Sequence, residues 1–210
     1  MAENILFSQT VGYIYGVSQK NSFIADKELA GLGFKSLGVG VKVSQHAVFY
    51  GIENISIGDY SRIDDLCLLS ASQGGEILIG KNVHIAAGVF LYGGGGIHID
   101  DFAGISAGSK VFSVTDDFSG SFLTNPTIPS EYRNVTSQRV ELHKHSLVGA
   151  GTVLFPGAVI PEGTAVGAMS LVDRELTSWG IYVGIPARRV KDRSRKILEL
   201  EESFLKRKDT

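Results

Sequence analysis

A large aliphatic residue returns every six positions along most of this 210-residue chain, and this period limits the possible folds more than any other feature. A period of six fits neither a helix face nor one long alternating strand, but it is typical of a solenoid in which three short strands form each coil. The position four residues after each aliphatic residue is almost always small, as a narrow corner requires. The sequence therefore predicts an all-β solenoid, and in the C-terminal half its inward residues are Leu142, Val148, Leu154, Ile160, Val166 and Val172.

Glycine recurs three positions after the aliphatic residue in several hexads. A tight corner often requires a positive φ, which glycine adopts without a steric penalty. We therefore expect left-handed backbone at this position, and the glycines concerned are Gly88, Gly108, Gly151, Gly157 and Gly163. Cys67, the single cysteine of the chain, occupies a small inward position, which predicts a packing role.

Four insertions interrupt the period, and three hexads separate each insertion from the next. Because three hexads make one coil, all four insertions fall at the same corner and stack into a ridge. They follow Phe49, Leu69, Leu91 and Val111. The longest, residues 112–141, is expected to project as a loop, and long loops in compact domains are often functional.

The pattern divides the chain into an N-terminal cap (1–42), the solenoid (43–176) and an exit segment with a C-terminal helix (177–210). Residues 22–32 predict a short helix that starts at Ser22 or Asp26. Charged and apolar residues from Val190 to Lys208 predict an amphipathic helix. A net charge of −2 argues against nucleic-acid binding, and no stretch approaches the length of a membrane span. Without a signal-peptide pattern, we expect a cytoplasmic protein with no membrane partner.

The most specific motif follows the last hexad and reads Gly184-Ile185-Pro186-Ala187-Arg188. It resembles the signature with which hexapeptide-repeat acyltransferases leave the last coil and contact coenzyme A. The resemblance implies a left-handed parallel β-helix, acetyl-CoA or another acyl-CoA as co-substrate, and a homotrimer with active sites between neighbouring prisms. It also implies cofactor contacts, because the pantetheine arm of coenzyme A lies along the prism in this family; the candidates are Gly149, Ala150, Gly167, Ala168, Gly184 and Pro186.

A basic cluster continues this motif, since six of the nine residues from Arg188 to Lys196 are Arg or Lys. Guanidinium groups bind phosphate oxygens in a bidentate manner. We therefore expect Arg188 and Lys191 to bind the phosphates of coenzyme A.

Segments of the long loop, of the last coil and of the exit region narrow the resemblance to the dTDP-4-amino-4,6-dideoxyglucose N-acetyltransferase type. These segments are residues 113–120, 124–129, 131–132, 167–171 and 179–182. The resemblance implies N-acylation of a nucleotide-linked aminodeoxy sugar, with dTDP favoured, for surface polysaccharide such as lipopolysaccharide O-antigen. Two alternatives stay open, a sugar O-acetyltransferase of the maltose or galactoside type and a non-catalytic solenoid that binds or supports a partner. The nucleotide, the position of the amine at C3 or C4 and the acyl length are not fixed by the sequence.

One departure from the sequence pattern of the sugar O-acetyltransferases favours an amine acceptor. O-acetyltransferases of this fold carry a Thr-His pair at the start of the long loop, and this chain has Thr115-Asp116 there. A sugar hydroxyl needs a base of near-neutral pKa, and an aspartate with an ordinary pKa of about 3.9 is a poor one. An amine flanked by electron-withdrawing oxygens titrates near pH 8, so part of it is neutral at pH 7 and attacks unaided. We therefore expect Asp116 or Asp117 to bind and orient the acceptor.

Three further groups of polar or small residues are candidates. His84 points outward one coil before the loop, where it would act as a base or hydrogen-bond the substrate. Glu141 ends the loop and would interact with the amine, while residues 93–96, all glycine, would form a floor without side chains. His143 and His145 lie two positions apart, but two ligands do not make a zinc site, so no metal is expected.

Overall fold

The computed structural model describes residues 23–72 and 74–208, which form a parallel β-solenoid with three faces and two α-helices. Six turns of three strands are stacked, and one more strand begins a seventh turn. The all-β solenoid predicted from the six-residue period is therefore confirmed. Among the described residues, no helix combines the length and the apolar character needed to cross a membrane.

Each face is one sheet, and successive turns add one strand to each sheet. The first face contains β1 (Ser36–Leu37), β4 (Ile55–Ile57), β7 (Ile77–Ile79), β10 (Ile97–Ile99), β15 (Val140–Leu142) and β18 (Val159–Ile160). The second contains β2 (Lys42–Val43), β5 (Arg62–Ile63), β8 (His84–Ile85), β11 (Gly104–Ile105), β16 (Leu147–Val148), β19 (Ala165–Val166), β21 (Gly180–Val183) and β22 (Arg188–Asp192). The third contains β3 (Val48–Tyr50), β6 (Leu68–Ser70), β9 (Phe90–Tyr92), β12 (Lys110–Phe112), β17 (Val153–Leu154) and β20 (Leu171–Val172).

The interior is filled by the aliphatic residues of the repeat. The largest fully buried side chains include Ile57, Ile63, Leu69, Ile85, Leu91, Ile105, Leu142, Leu154 and Ile160. Buried corner hydroxyls tie each turn to the next: Ser61 donates to the carbonyl oxygen of Gly80 at 2.7 Å, and Thr152 donates to that of Gly167 at 3.0 Å. Cys67 is buried at the same corner as Thr152. Burial raises the pKa of its thiol, which agrees with the predicted packing role.

The predicted left-handed corner is present in every hexad that carries the glycine, with φ between 66° and 80°. The same position in other hexads is also left-handed although it holds a larger residue, with φ between 54° and 60°. These residues are Tyr60, Leu66, Asn82, Phe102, His145 and Met169. The stacking geometry therefore imposes this conformation on the corner whichever residue is there, and glycine only reduces its cost.

The ends of the solenoid differ in part from the sequence prediction. Helix α1 (Asp26–Ala30) begins at one of the two predicted start residues and buries Leu29 against the first turn, whereas Ser22 lies outside the described residues, as do residues 1–21. Strand β1 already belongs to the first face, so the coils begin before residue 43. At the other end, helix α2 (Lys196–Lys208) is shorter than predicted.

The prediction of a helix from Val190 onward was wrong for the residues before Lys196. Residues 188–192 form β22, which pairs antiparallel with β21. An uncovered β21 would leave a row of backbone groups without partners at the edge of the second face. The chain turns back and supplies those partners, and this tertiary pairing outweighs the local helical pattern.

The four insertions all lie between the third and the first face, as predicted, and we call this edge the ridge corner. Neighbouring insertions approach closely there, since a Cβ added to Gly75 would lie 1.9 Å from the carbonyl oxygen of Gly93. The longest insertion starts with β13 (Val114–Thr115), which pairs antiparallel with β14 (Thr136–Ser137). It also contains a 3-10 turn at Ser130–Tyr132, and a second 3-10 turn lies at Ile52–Asn54 in the first insertion.

Candidate active site

The long loop is held above the ridge corner by its own polar contacts. Asp117 does most of this: one carboxylate oxygen accepts hydrogen bonds from the Ser119 amide at 2.8 Å and the Ser119 hydroxyl at 2.6 Å. Its other oxygen accepts a bond from the Asn134 side-chain amide at 3.3 Å. The Ser119 hydroxyl is the main reason that the pKa of Asp117 is lowered. Asp117 therefore shapes the loop from within.

Asp116 has a different setting, although it is the neighbouring residue. Its Oδ2 accepts one hydrogen bond, from the Asn125 amide at 3.2 Å, and its side chain lines a cavity of about 730 Å³ between the loop and the third face. This loop cavity is lined by Tyr92, Val114, Thr115, Asp116, Pro126, Ser130, Arg133 and Val135. No histidine is among these lining residues. Of the two predicted acceptor-binding aspartates, the structure brings Asp116 to the cavity.

His84 lies outside the loop cavity within one chain. It is on the second face, where its Nε2 lies 2.8 Å from Oδ2 of Asp64, and it borders a groove beside α2. Because His84 is hydrogen-bonded to Asp64 and lies on a different face from the loop cavity, the structure shows no substrate contact for it. Its catalytic role stays a prediction.

Glu141 lies on the outward side of the first face, in register with His98 of the turn below. Its Oε2 is 3.4 Å from Nε2 of His143, whose Nδ1 is 2.9 Å from Oδ2 of Asp100. The structure therefore gives Glu141 a histidine partner, and its role toward the amine also stays a prediction. His145, in contrast, contacts α2, where its Nε2 lies 2.8 Å from Oε2 of Glu201.

The glycines at 93–96 form part of the ridge corner, in line with the predicted floor. The Gly95 amide donates to the Ser113 hydroxyl at 2.8 Å, and a Cβ at Gly95 would lie 2.5 Å from the Ser113 carbonyl oxygen. Beside this floor is a polar groove of about 470 Å³, whose lining includes Lys35, Glu76 and Arg139. The small residues thus allow the loop to sit close to the coil below it.

The predicted cofactor residues gather at another edge of the prism, where the chain passes from the second to the third face. We call it the small-residue corner; it contains residues 106–108, 149–151 and 167–169, and the turn 184–186 between β21 and β22 lies against its last turn, since the Leu171 amide donates to the Gly184 carbonyl oxygen at 3.0 Å. The Gly149 amide donates to Val166 at 2.8 Å and the Gly167 amide donates to Tyr182 at 2.7 Å, so the turns are in direct register. Gly149, Ala150, Gly167, Ala168, Gly184 and Pro186 therefore form one continuous column.

Backbone donors line this corner. The amides of Ala107, Ala150 and Ala168 donate to no other described residue, and these three alanines are exposed. Successive turns are about 4.8 Å apart, so the donors form an evenly spaced row. Such a row suits an extended ligand that carries several carbonyl groups.

The residues of the basic cluster have different surroundings in the structure. Arg193 donates to the carbonyl oxygens of His145 at 2.8 Å and Gly163 at 3.1 Å, and burial lowers the pKa of its guanidinium. Arg193 therefore stabilises the fold, because one guanidinium nitrogen joins two backbone carbonyl groups. Arg188 and Lys191, the two predicted phosphate-binding residues, are exposed on β22.

Sequence reasoning missed two residues that the structure brings to these sites. Ser106 lies at the small-residue corner directly below Gly149, since its amide donates to Val148 at 2.8 Å. Its place after the inward Ile105 matches that of Gly149 after Val148, so the six-residue register contained this signal. Arg133 lines the loop cavity, and no repeat pattern extends into the loop to indicate it.

The fold and the two sites define a class of protein, the hexapeptide-repeat acyltransferases. The comparison with known proteins agrees. The chain is 42% identical over 183 residues to dTDP-4-amino-4,6-dideoxy-D-glucose acyltransferase of Escherichia coli, which covers 87% of this chain and 95% of that protein. No family model matches the chain. At this identity and coverage, the chain belongs to the family of that acyltransferase.

Solved structures give a second comparison. AntD, an N-acyltransferase from Bacillus cereus solved with dTDP and 3-hydroxybutyryl-CoA, is 48% identical, with a TM-score of 0.86 over 90% of this chain and 100% of AntD. AntD variants with a serine changed to alanine, or an aspartate ten positions later changed to asparagine, have been solved with coenzyme A. A more distant relative is the putative lipopolysaccharide biosynthesis O-acetyl transferase WbbJ of Escherichia coli K12, 30% identical over 73% of this chain and 66% of WbbJ.

Proposed function

We propose that this protein transfers an acyl group from acyl-CoA to the amino group of a dTDP-linked aminodeoxy sugar. The observation that carries the proposal is the loop cavity, where Asp116 is present and no lining residue is histidine. A carboxylate orients an ammonium or a hydroxyl well, but as a class it is a much weaker base than an imidazole and removes a hydroxyl proton poorly. The proteins that support the substrate class are the Escherichia coli acyltransferase and AntD.

The reaction follows from this arrangement. The neutral amine attacks the thioester carbonyl, a C–N bond forms, and the C–S bond to coenzyme A breaks. The nitrogen gives up its surplus proton, and the departing thiolate accepts it. Asp116 holds the acceptor nitrogen in line for the attack, so its contribution is positioning.

The donor site belongs to the small-residue corner. The two amide carbonyls of the pantetheine arm match the row of backbone amides at Ala107, Ala150 and Ala168. Arg188 follows the turn at the end of this corner and Lys191 lies further along β22, opposite Ile181, and both would bind the phosphates of the cofactor. The acyl group then points down the column toward Ser106.

Ser106 and Asp116 are proposed to be the pair that corresponds to the serine and aspartate replaced in the AntD variants. They are also ten positions apart, and no other serine in this chain is followed by an aspartate at that spacing. We infer that the Ser106 hydroxyl positions the thioester while Asp116 positions the amine. The pair spans the two edges of the third face, since Ser106 is at the small-residue corner and Asp116 above the ridge corner.

A homotrimer would bring these two edges together between copies. The third face presents an outward row of apolar residues between the corners, namely Val48, Leu68, Phe90, Tyr92, Phe112, Val153 and Leu171. Val48 is 45% exposed, and the row is apolar enough to pack against another copy. We propose that the loop of one copy covers the small-residue corner of its neighbour. A cytoplasmic location and a role in surface polysaccharide follow from the proposed substrates.

An acceptor comparison tests the function. Thiol release from acetyl-CoA and from 3-hydroxybutyryl-CoA is measured with dTDP-4-amino-4,6-dideoxyglucose, its 3-amino isomer, and the corresponding 4-hydroxy sugar nucleotide. We expect transfer to an amine to exceed transfer to the hydroxyl by at least about a hundredfold, because the cavity lacks a histidine base. Faster turnover on the hydroxyl sugar would favour O-acetylation instead.

A further inference from the structure

Within the proposed function, we infer that Arg133 binds the diphosphate of the acceptor nucleotide sugar. Arg133 and Asp116 supply the two charges among the residues that line the loop cavity. No ion pair joins them among the described residues, and the Asp116 carboxylate accepts its hydrogen bond from the Asn125 backbone amide, so both charges face the cavity without neutralising each other. The cavity therefore presents one anion and one cation.

The setting of Arg133 indicates a missing partner. Its Nε is buried and has no hydrogen-bond partner among the described residues. Burying an unpaired donor is unfavourable, and native proteins usually satisfy such groups. The backbone fixes the residue in place, because the Arg133 amide donates to Ser130 at 3.1 Å and Leu123 bridges to Arg133. A ligand anion that contacts the guanidinium in the cavity would supply the missing partner.

The chemistry of the acceptor matches this pair of charges. A diphosphate-linked amino sugar carries an ammonium or amine on one side of the sugar ring and the diphosphate on the other. Asp116 suits the nitrogen, and the planar fork of Arg133 suits two phosphate oxygens. Together they would select a sugar that carries both groups, and they would orient the amine toward the donor.

The polar groove beside the glycine floor is the competing position for the diphosphate. Lys35 and Arg139 line it, but Lys35 is already 3.4 Å from Glu76 in an ion pair. Arg139 is exposed, so water satisfies its guanidinium. The buried and unpaired Nε of Arg133 therefore makes the loop cavity the better anion site.

Calorimetric binding of dTDP and dTMP to the full chain tests the assignment without turnover. Arg133→Met should weaken dTDP binding by about 10- to 100-fold and reduce the preference for dTDP over dTMP, because the charge-assisted contact to the terminal phosphate is lost. Arg133→Lys keeps the charge but loses the fork, so we expect an intermediate loss. Lys81→Met is the matched control, since it removes one exposed cation that pairs with Asp59 away from the loop. Melting temperatures check that each variant folds.

The outcomes separate the two proposals. Unchanged dTDP binding in Arg133→Met, or a larger loss in Arg139→Met, would overturn the assignment of Arg133 and leave the acyl transfer intact. If the unaltered protein binds neither dTDP nor dTMP and acylates no dTDP-linked amine, the proposed function itself fails.

Discussion

Gly149 lies where the stacking of the coils and the proposed donor site meet, and its substitution separates the two. A Cβ at Gly149 would lie 2.5 Å from the amide nitrogen of Ala168 and 2.7 Å from the carbonyl carbon of Gly167. Backbone atoms cannot rotate away as a side chain does, so the two turns must move apart. Overpacking costs about 1–3 kcal/mol, and we expect Gly149→Ala to lose about 3 kcal/mol. For a chain of this size, this loss lowers the melting temperature by about 6–12 °C.

Ala150→Leu is the comparison at the adjacent position. Ala150 is exposed, so the added side chain extends into solvent and the melting temperature should barely change. The same side chain covers the backbone amides proposed to bind the pantetheine arm. We therefore expect the KM for acyl-CoA to rise about tenfold or more, with the KM for the sugar unchanged. Glu162→Leu, an exposed change at another corner, is the control.

Scanning calorimetry measures the first effect, and initial rates at varied acyl-CoA measure the second. A Gly149→Ala protein that melts like the unaltered protein would refute the argument from backbone contact. An ordinary KM for acyl-CoA in Ala150→Leu would refute the location of the pantetheine arm at this corner.

Three further predictions concern charged residues. The double variant Arg188→Ala, Lys191→Ala should raise the KM for acyl-CoA and leave that for the sugar nearly unchanged; equal kinetics for the cofactor would show that this pair only faces solvent. Asp116→Asn should lower turnover by about 10- to 100-fold, with activity still rising with pH near 8 as the substrate amine loses its proton; loss of this pH limb would reveal an enzymic base. Burial acts to raise the pKa of Glu201, but hydrogen bonds from Lys144 and His145 outweigh it and the pKa is lowered. The stabilisation by Glu201 is therefore complete above its ordinary pKa near 4.5 and is lost as the pH falls through the lowered value. Glu201→Gln should reduce the melting temperature at pH 7, and calorimetry at lower pH should show the difference from the unaltered protein disappear.

The period of six was sufficient to predict the stacked turns because each inward position has one neighbour above and one below. Inward residues such as Ile105 and Leu154 are fully buried as a result. The conformation of the corner could be predicted only where glycine marks it. Leu66 and Met169 adopt the same left-handed backbone, but their sequence contains no sign of it.

The candidate sites were predictable to different degrees. The donor column follows from the repeat, so Gly149 and Gly167 could be placed together from sequence, and Ser106 shares their register. The loop has no period, and the different settings of Asp116 and Asp117 depend on contacts with Asn125 and Ser119 that spacing does not specify. The strand at 188–192 depends on a partner, β21, and a helical pattern in the sequence alone could not indicate it.

The position of the insertions has a consequence for how such a protein changes its substrate. Strands β10 and β15 pair directly, with Ile99 opposite Leu142, although the long loop separates them in sequence. A loop of another length could therefore replace residues 113–139, between β12 and β15, without altering the strand register on either side. Because the proposed donor column is at a different corner, such an exchange would alter the acceptor and retain the acyl-CoA site. The prism is thus the constant part of the molecule, and a different loop at its ridge corner would give it a different acceptor.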